Sequence, residues 1–251
     1  MDKPTQRVAV VTGGGSGLGE AICAQLAGAG HAVAVLDMNG DSAELVASTI
    51  RSNGGTAISV RVDVADRKSV DAAFATVRAE LGPVAILVTS AGIAGFTPFE
   101  DITAEEWDHI ITVNLTGTFH CAQAAISDMV AAGWGRLVLI ASSAGQTGTA
   151  NQAHYSAAKG GVIALMKTLA LEYGRKGITV NAIPPFAILT PGLTRWQEEG
   201  RLPAYERIEM MIPAGRIGTP DDVAATCAFL CSDAAGYITA QVIAPNGGAV
   251  R

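Results

Sequence analysis

The sequence predicts an α/β fold: a doubly wound sheet of parallel strands covered by helices on both faces. Three observations predict it. Short β-rich runs alternate with longer helical patterns along the 251 residues. Those runs are mostly continuous in apolar character, as strands covered on both faces require. The first of them passes directly into a glycine-rich turn that opens a helix.

In chain order, the strands are predicted at Val8–Thr12, Ala32–Asp37, Ala57–Asp63, Ala85–Thr89, Leu137–Ala141, Thr179–Ile183 and Gln241–Ala244. The helices between them are predicted at Leu18–Gly28, Asp41–Ser52, Lys68–Leu81, Ala104–Val130, Tyr155–Tyr173 and Pro220–Leu230. Asp66 and Thr103 stand where helix N-caps belong, because a short side-chain oxygen can accept from the free N–H groups of a first turn. Pro220-Asp221-Asp222 places proline and acid in another first turn. Gly174 and Gly177 end the helix before the sixth strand. Alternation of this kind implies right-handed crossovers. One stretch breaks the rhythm: residues 184–219 carry five prolines, Trp196 and mixed charges. Long insertions in compact α/β folds are often lids. No repeat, low-complexity tract or linker divides the chain.

Composition bounds the function. With 49% hydrophobic residues the chain has ample apolar surface to offset chain entropy, which excludes disorder as its main state. Charged residues are 16%, against about 25% on average, which points to surface buried in an oligomer. A net charge of −6 argues against nucleic acid as a partner. Cys23, Cys121, Cys227 and Cys231 show no framework spacing, so a reducing compartment is expected. Cys227 and Cys231 read most simply as small apolar core residues. No metal site is expected, because neither a CxxC nor an HxxxH pair exists. Met1-Asp2-Lys3-Pro4 is too polar and too short before the first apolar run to begin a signal peptide. No run reaches membrane-span length. The expectation is a cytoplasmic protein with no membrane partner.

The first strand runs into Thr12-Gly13-Gly14-Gly15-Ser16-Gly17-Leu18-Gly19. Glycine lets a backbone turn tightly and approach a ligand, and the following helix points free N–H groups and a positive dipole end at the same spot. A pyrophosphate is the natural guest, although such a turn also serves simply to let a helix pack. Asp37 ends the second strand 18 residues after Gly19, where an acid can accept from adenosine ribose hydroxyls. A carboxylate there repels a 2′-phosphate. Two unit charges about 4 Å apart cost roughly 1–4 kcal/mol. NAD(H) is therefore favoured over NADP(H), with no Arg or Lys in the loop to offset the acid. The plainer alternative for Asp37 is a solvated strand-end carboxylate.

Tyr155 and Lys159 are four apart and share a helix face. A phenol is a poor base at neutral pH, and a nearby ammonium would lower its pKa. A tuned Tyr155 can then take a proton from an alcohol or return one to a ketone. Ser142 follows the fifth strand, at the end where ligands bind in such sheets. Alone, Tyr155-x-x-x-Lys159 is a common helix-surface pair, and it gains meaning beside the glycine loop and Ser142.

Together these motifs resemble the classical short-chain dehydrogenase/reductase family over essentially the whole chain. Thr12–Gly19 matches TGxxxGxG, Asp63-Val64 the dipeptide that meets adenine, and Tyr155-x-x-x-Lys159 the YxxxK motif. Ser142 stands 13 residues before Tyr155, as the family's serine does, with Ser143 ranked second. The resemblance implies a single Rossmann-type domain over 1–251 with a substrate lid at 186–215. It implies Tyr155 as acid/base, Ser142 orienting the substrate oxygen, Lys159 also holding the nicotinamide ribose, and Asn114 kinking its helix and completing a proton relay. The cofactor contacts it implies are Gly13, Ser16, Gly17, Leu18, Gly19, Asp37, Met38, Asp63, Val64, Ala91, Gly92, Tyr155, Lys159, Pro185, Ile188 and Thr190. It also implies a homotetramer.

Three departures stand out. The family's NNAG reads Thr89-Ser90-Ala91-Gly92, so two bracing asparagines are absent. Its PG after the sixth strand reads Pro184-Pro185-Phe186, where Phe186 either walls an apolar pocket or packs as core. Its TGQ reads Thr239-Ala240-Gln241, taken as neutral. The expected substrate walls are residues 94–97, residues 146–148, Phe186 and the lid. Trp196, Met210 and Met211 either grip a hydrophobic substrate or pack beneath the lid. His154 points about 100° away from Tyr155 on a helix, and is expected to be structural.

The expected function is NAD(H)-dependent interconversion of a secondary alcohol and its ketone. A 3-oxoacyl thioester reductase, acting on an acyl-carrier protein or coenzyme A thioester, is the nearest alternative. A non-catalytic NAD(H)-binding sensor is the alternative from another class, and the complete Asn114, Ser142, Tyr155 and Lys159 set speaks against it.

Overall fold

The computed structural model describes residues 6–250. Six parallel strands form one sheet: β1 (Val8–Thr12), β2 (Ala32–Asp37), β3 (Thr56–Arg61), β4 (Val84–Thr89), β5 (Gly135–Ile140) and β6 (Ile178–Ile183). Their spatial order is β3-β2-β1-β4-β5-β6, so the winding reverses between β1 and β4. Helices α1 (Gly17–Gly28), α2 (Gly40–Ser52) and α10 (Pro220–Cys231) cover one face. There Ile22, Leu26, Val46, Ile50, Val223 and Leu230 pack on alternate strand residues such as Val11 and Val88. On the other face α3 (Arg67–Glu80), α5 (Gly117–Ala132) and α7 (Ala153–Tyr173) bring Phe74, Met129, Val162 and Met166 against Val10, Leu87 and Leu139. Continuous apolar strands are the direct consequence: every residue of β1, β5 and β6 is buried.

Asp66 and Thr103 cap their helices as predicted, accepting from Lys68 N–H and Glu106 N–H. Thr219 and Asp222 form a reciprocal capping box on α10. The predicted helix Ala104–Val130 is broken into α4 (Ala104–Ile111), a π-helical turn (Thr112–Thr116) and α5. The cause is the Asn114 side chain, whose Nδ2 donates to the Ile110 carbonyl at 2.9 Å. A side chain inserted into the i→i−4 ladder widens the turn.

The predicted seventh strand is a correction. Gln241–Ala244 makes only one parallel bridge, Ala182 to Val242. The Asn181 side chain takes the Gln241 N–H at 3.1 Å and donates to the Ile238 carbonyl at 2.8 Å, while the backbone pairing is confined to two bonds with Ala182, at 2.9 Å each. Ala240, taken as neutral in the sequence, sits at φ 59°, in the left-handed region that favours glycine. Ala240→Gly is expected to stabilise the fold by roughly 0.5–1 kcal/mol, the strain relieved less the extra freedom of the unfolded glycine. A urea midpoint that does not rise at constant slope would contradict this.

At the amino ends of the strands, the Arg7 and Arg136 guanidinium carbons lie 3.7 and 4.3 Å from the Trp134 ring centroid. Asp233 accepts from Arg7 and from the Trp134 indole N–H, both at 3.0 Å. Thus the segments leading into β1 and β5 are tied to the end of α10. The carboxyl ends carry loops instead. The longest, residues 184–219, holds α8 (Pro191–Glu198) and α9 (Tyr205–Met210) around Leu193, Ile208, Ile212 and Ile217. Phe186 packs against this cluster, which favours the packing alternative for it.

All four cysteines are free and buried. Burial pushes the Cys121 thiol up to about 12. Among the described residues no group of three metal-ligating side chains occurs, and no helix is long and apolar enough to cross a membrane.

Candidate active site

The winding reverses between β1 and β4, where sheets of this kind leave a crevice at the carboxyl ends of the strands, and the glycine loop follows β1 at that end. Gly13 and Gly17 adopt φ 65° and 55°, which a residue with a Cβ resists. The loop is tight as well as twisted: a Cβ on Gly19 would sit 2.0 Å from the Gly13 carbonyl oxygen, and one on Gly13 2.8 Å from the Ala91 backbone. Ser16 is the N-cap of α1 but its hydroxyl makes no cap bond, and Leu18 lies in the first helical turn. The first-turn N–H groups of α1 therefore face the loop with no side-chain partner, an arrangement that suits a pyrophosphate.

Asp37 ends β2 against this loop. Its Oδ2 accepts from Gly15 N–H at 3.0 Å and its Oδ1 from Asn39 N–H at 2.9 Å. Met38, beside it, is exposed. Nothing in the sequence spacing marks Arg61, yet register pairing brings it opposite Asp37, with Nε donating to the Met38 carbonyl at 3.2 Å. Strand pairing was the missing signal. Asp63 accepts from Ala65 N–H at 2.9 Å, and Val64 is buried under Gly117. Of the two residues standing for the bracing asparagines, Thr89 has its hydroxyl buried without a partner, and the Ser90 and Ala91 N–H groups donate to the Thr12 carbonyl and hydroxyl at 3.2 Å each.

Across the crevice stand Ser142, between β5 and the short helix α6 (Ala144–Thr147), and Tyr155 and Lys159 on α7. Ser142 Oγ accepts from Ala144 N–H at 3.2 Å. Burial pushes the Tyr155 phenol above its ordinary value, and a hydrogen bond with Ser142 works against that. The lowering expected from Lys159 is not what the protein alone shows. Its Nζ lies 5.8 Å from the Tyr155 ring centroid and donates to the Ile140 carbonyl at 2.9 Å. Asn114 Nδ2 donates to the Ile93 carbonyl as well as to Ile110, while its Oδ1 is buried with no partner. A Cβ on Gly92 would meet that Oδ1 at 2.7 Å and Lys159 Nζ at 3.3 Å. Gly92 thus keeps open a polar slot between them. Pro185 accepts from Ser143 N–H through its carbonyl, which places the buried Ser143 against the backbone. Ile188 bridges to Gly218, and Thr190 caps α8 beside Gly17.

Burial holds the Lys159 ammonium down at about 8. A base depressed in the folded state costs stability in full below about pH 8, and the cost fades as pH rises to its ordinary 10.5. Lys159→Met is therefore expected to stabilise the fold at pH 7. The gain should be on the order of 1–2 kcal/mol once the lost bond to Ile140 is offset. It should shrink between pH 8 and 10.5; a gain constant with pH would contradict it.

A family model described as enoyl-(acyl carrier protein) reductase matches residues 13–250. The chain belongs to the classical short-chain dehydrogenase/reductase family. It is 43% identical over 96% of its length to an acetoacetyl-CoA reductase of Rhizobium meliloti, covering 98% of that protein. It is 39% identical over 96% of its length to a D-threitol dehydrogenase of Mycolicibacterium smegmatis, covering 92% of it. The solved structure of gox2181 superposes with a TM-score of 0.92 at 35% identity, covering 97% of this chain and 95% of that one. This short-chain dehydrogenase/reductase is accordingly an oxidoreductase, and its family uses NAD(P). The glycine cradle and the free first turn of α1 fit such a dinucleotide.

Proposed function

We propose that this oxidoreductase interconverts a secondary alcohol and its ketone with NAD(H). The observation that carries the reading is the meeting of Ser142, Tyr155, Lys159 and Asn114 across one crevice from the glycine cradle. When bound, NAD+ supplies the hydride acceptor. Tyr155 takes the alcohol's hydroxyl proton as the carbinol carbon loses hydride and its C–O bond becomes C=O. Ser142 Oγ holds the substrate oxygen in line with the phenol. Lys159 would pass the proton onward to a water held by the free Asn114 Oδ1 in the slot beneath Gly92, with Lys159 also reaching ribose. The cofactor residues are those named from the sequence, with Arg61 beside Asp37 added.

Asp37 supports NAD(H). Asp37→Ser is expected to raise kcat/KM for NADP+ roughly ten- to several hundredfold relative to NAD+, the removed charge repulsion leaving Arg61 beside the 2′-phosphate. An unchanged cofactor ratio would overturn this assignment.

Phe96, after β4, meets Trp196 of α8 edge to face at 5.3 Å, which supports residues 186–215 acting as a lid over a compact, apolar substrate. A 3-oxoacyl thioester reductase is the second reading, supported by the acetoacetyl-CoA reductase relative. Reduced-cofactor appearance from NAD+ and NADP+ separates the two, across linear, alicyclic and steroidal alcohols and hydroxyacyl thioesters. Turnover of thioesters alone, with NADP+, would overturn the first reading. For assembly, the exposed Phe119 of α5 and Leu171 of α7 support a homotetramer built on those helices, with no nucleic-acid or membrane partner. A monomeric mass by light scattering would overturn it. A cytoplasmic location is proposed on composition.

A further inference from the structure

We propose that His154 and Glu106 are positioning residues that join the substrate-side loop, residues 93–97, to the Tyr155 backbone and so hold the phenol in register. The inference rests on Tyr155 being the acid/base. His154 is fully buried and both its ring nitrogens are engaged. Nδ1 accepts the Tyr155 N–H at 2.9 Å, so this nitrogen carries no proton. The ring proton is therefore on Nε2, which donates to Glu106 Oε1 at 3.1 Å. The same carboxylate oxygen accepts from the Thr97 hydroxyl at 2.6 Å. These two bonds, Thr97's first, hold the Glu106 carboxyl below its ordinary value and keep it ionised.

Tyr155 stands in the first turn of α7, where backbone N–H groups have no helical partner. The N-cap residue Gln152 makes no side-chain cap bond. It reaches the Gly95 carbonyl instead, at 3.3 Å. His154 supplies the missing acceptor at Tyr155 itself. The loop sits directly on this network: a Cβ on Gly95 would lie 2.8 Å from His154 Nε2 and 3.1 Å from Glu106 Oε1. Thr97 N–H also donates to the Asn151 carbonyl at 2.8 Å. Thr97, Glu106, His154 and Tyr155 thus form one hydrogen-bonded chain from the wall that substrate touches to the residue that moves its proton. A displacement of about 1 Å at a reacting group can cost 10²-fold in rate, so such bracing has a measurable consequence.

The test compares Glu106→Ala with Glu106→Gln, which keeps the acceptor oxygen; the half-exposed position makes both compatible with folding. Two readouts are taken. One is kcat and KM with NAD+ and cyclohexanol. The other is 13Cζ-tyrosine NMR, in which Tyr155 is assigned among four tyrosines by its loss in Tyr155→Phe. Glu106→Ala is expected to lower kcat about tenfold at nearly constant KM and NADH affinity, and to move or broaden the Tyr155 signal. Glu106→Gln should restore both to near wild type. The inference is overturned if the Tyr155 signal is unmoved in Glu106→Ala, or if both variants lose activity only in proportion to a lower Tm. If cyclohexanol is not turned over, the NMR arm decides. A Tyr155→Phe enzyme that keeps full turnover is a separate result, and it would remove the acid/base reading itself.

Discussion

Tyr155→Phe is expected to lower kcat by roughly 10²–10⁴-fold while leaving NADH affinity within about threefold. The substitution deletes one hydroxyl and keeps the ring, so α7 and its contacts are undisturbed. What disappears is the phenol proposed above as the acid/base beside Ser142. The remaining ionisable neighbour, Lys159, is bonded to the Ile140 carbonyl, with its Nζ 5.8 Å from the Tyr155 ring centroid, and does not take its place. A loss confined to KM would mean that the phenol binds substrate but moves no proton. The half-reactions are distinguishable as well. NADH bound by the variant still reports the glycine cradle, so failure of catalysis and failure of binding separate in one titration.

The second large effect belongs to the cradle. Gly19→Ala is expected to abolish NADH binding at millimolar concentration and to lower Tm by several degrees. A methyl group 2.0 Å from the Gly13 carbonyl oxygen is far inside van der Waals contact, and both partners are backbone, so no side-chain rotation relieves it. Either the start of α1 moves off the loop or Gly13 leaves its φ of 65°. Each displaces the N–H groups that would receive phosphate. Gly28, by contrast, faces open space, and Gly28→Ala serves as the control, neutral or mildly stabilising as helical alanine is. Equal NADH binding by both variants would contradict this account of the loop.

Much of the fold was legible because its signals are local. Apolar runs, caps and glycine turns each declare an element within a few residues, and the first six predicted strands coincide with β1 to β6 to within two residues at either end. The seventh strand misled because Gln241–Ala244 has strand composition, while its pairing is limited to the Ala182 backbone and the Asn181 side chain, which takes the Gln241 N–H from some 60 residues away. The π turn is expected only through the family resemblance, as a kink at Asn114, because it depends on where one asparagine amide points. At the site, the Tyr155–Lys159 spacing and the place of Ser142 after the fifth strand are read along the chain, whereas Asn114 is expected only through the family resemblance. Arg61 and Glu106 were legible in neither way, because each reaches its place through tertiary pairing, across a strand register and between two helices. Ala240 was misjudged because composition carries no torsion angle.

The arginine–tryptophan clamp at the amino ends of the sheet gives the molecule a polarity in time as well as in space. The entries to β1 and β5 are fastened to the end of α10. The opposite rim is made of loops and the small cluster around Leu193 and Ile208. Local opening begins where few buried contacts must break. Amide protons of residues 190–213 and 93–97 should therefore exchange with deuterium long before those of β1 and β5. The crevice can breathe and admit its guests while the opposite end stays shut.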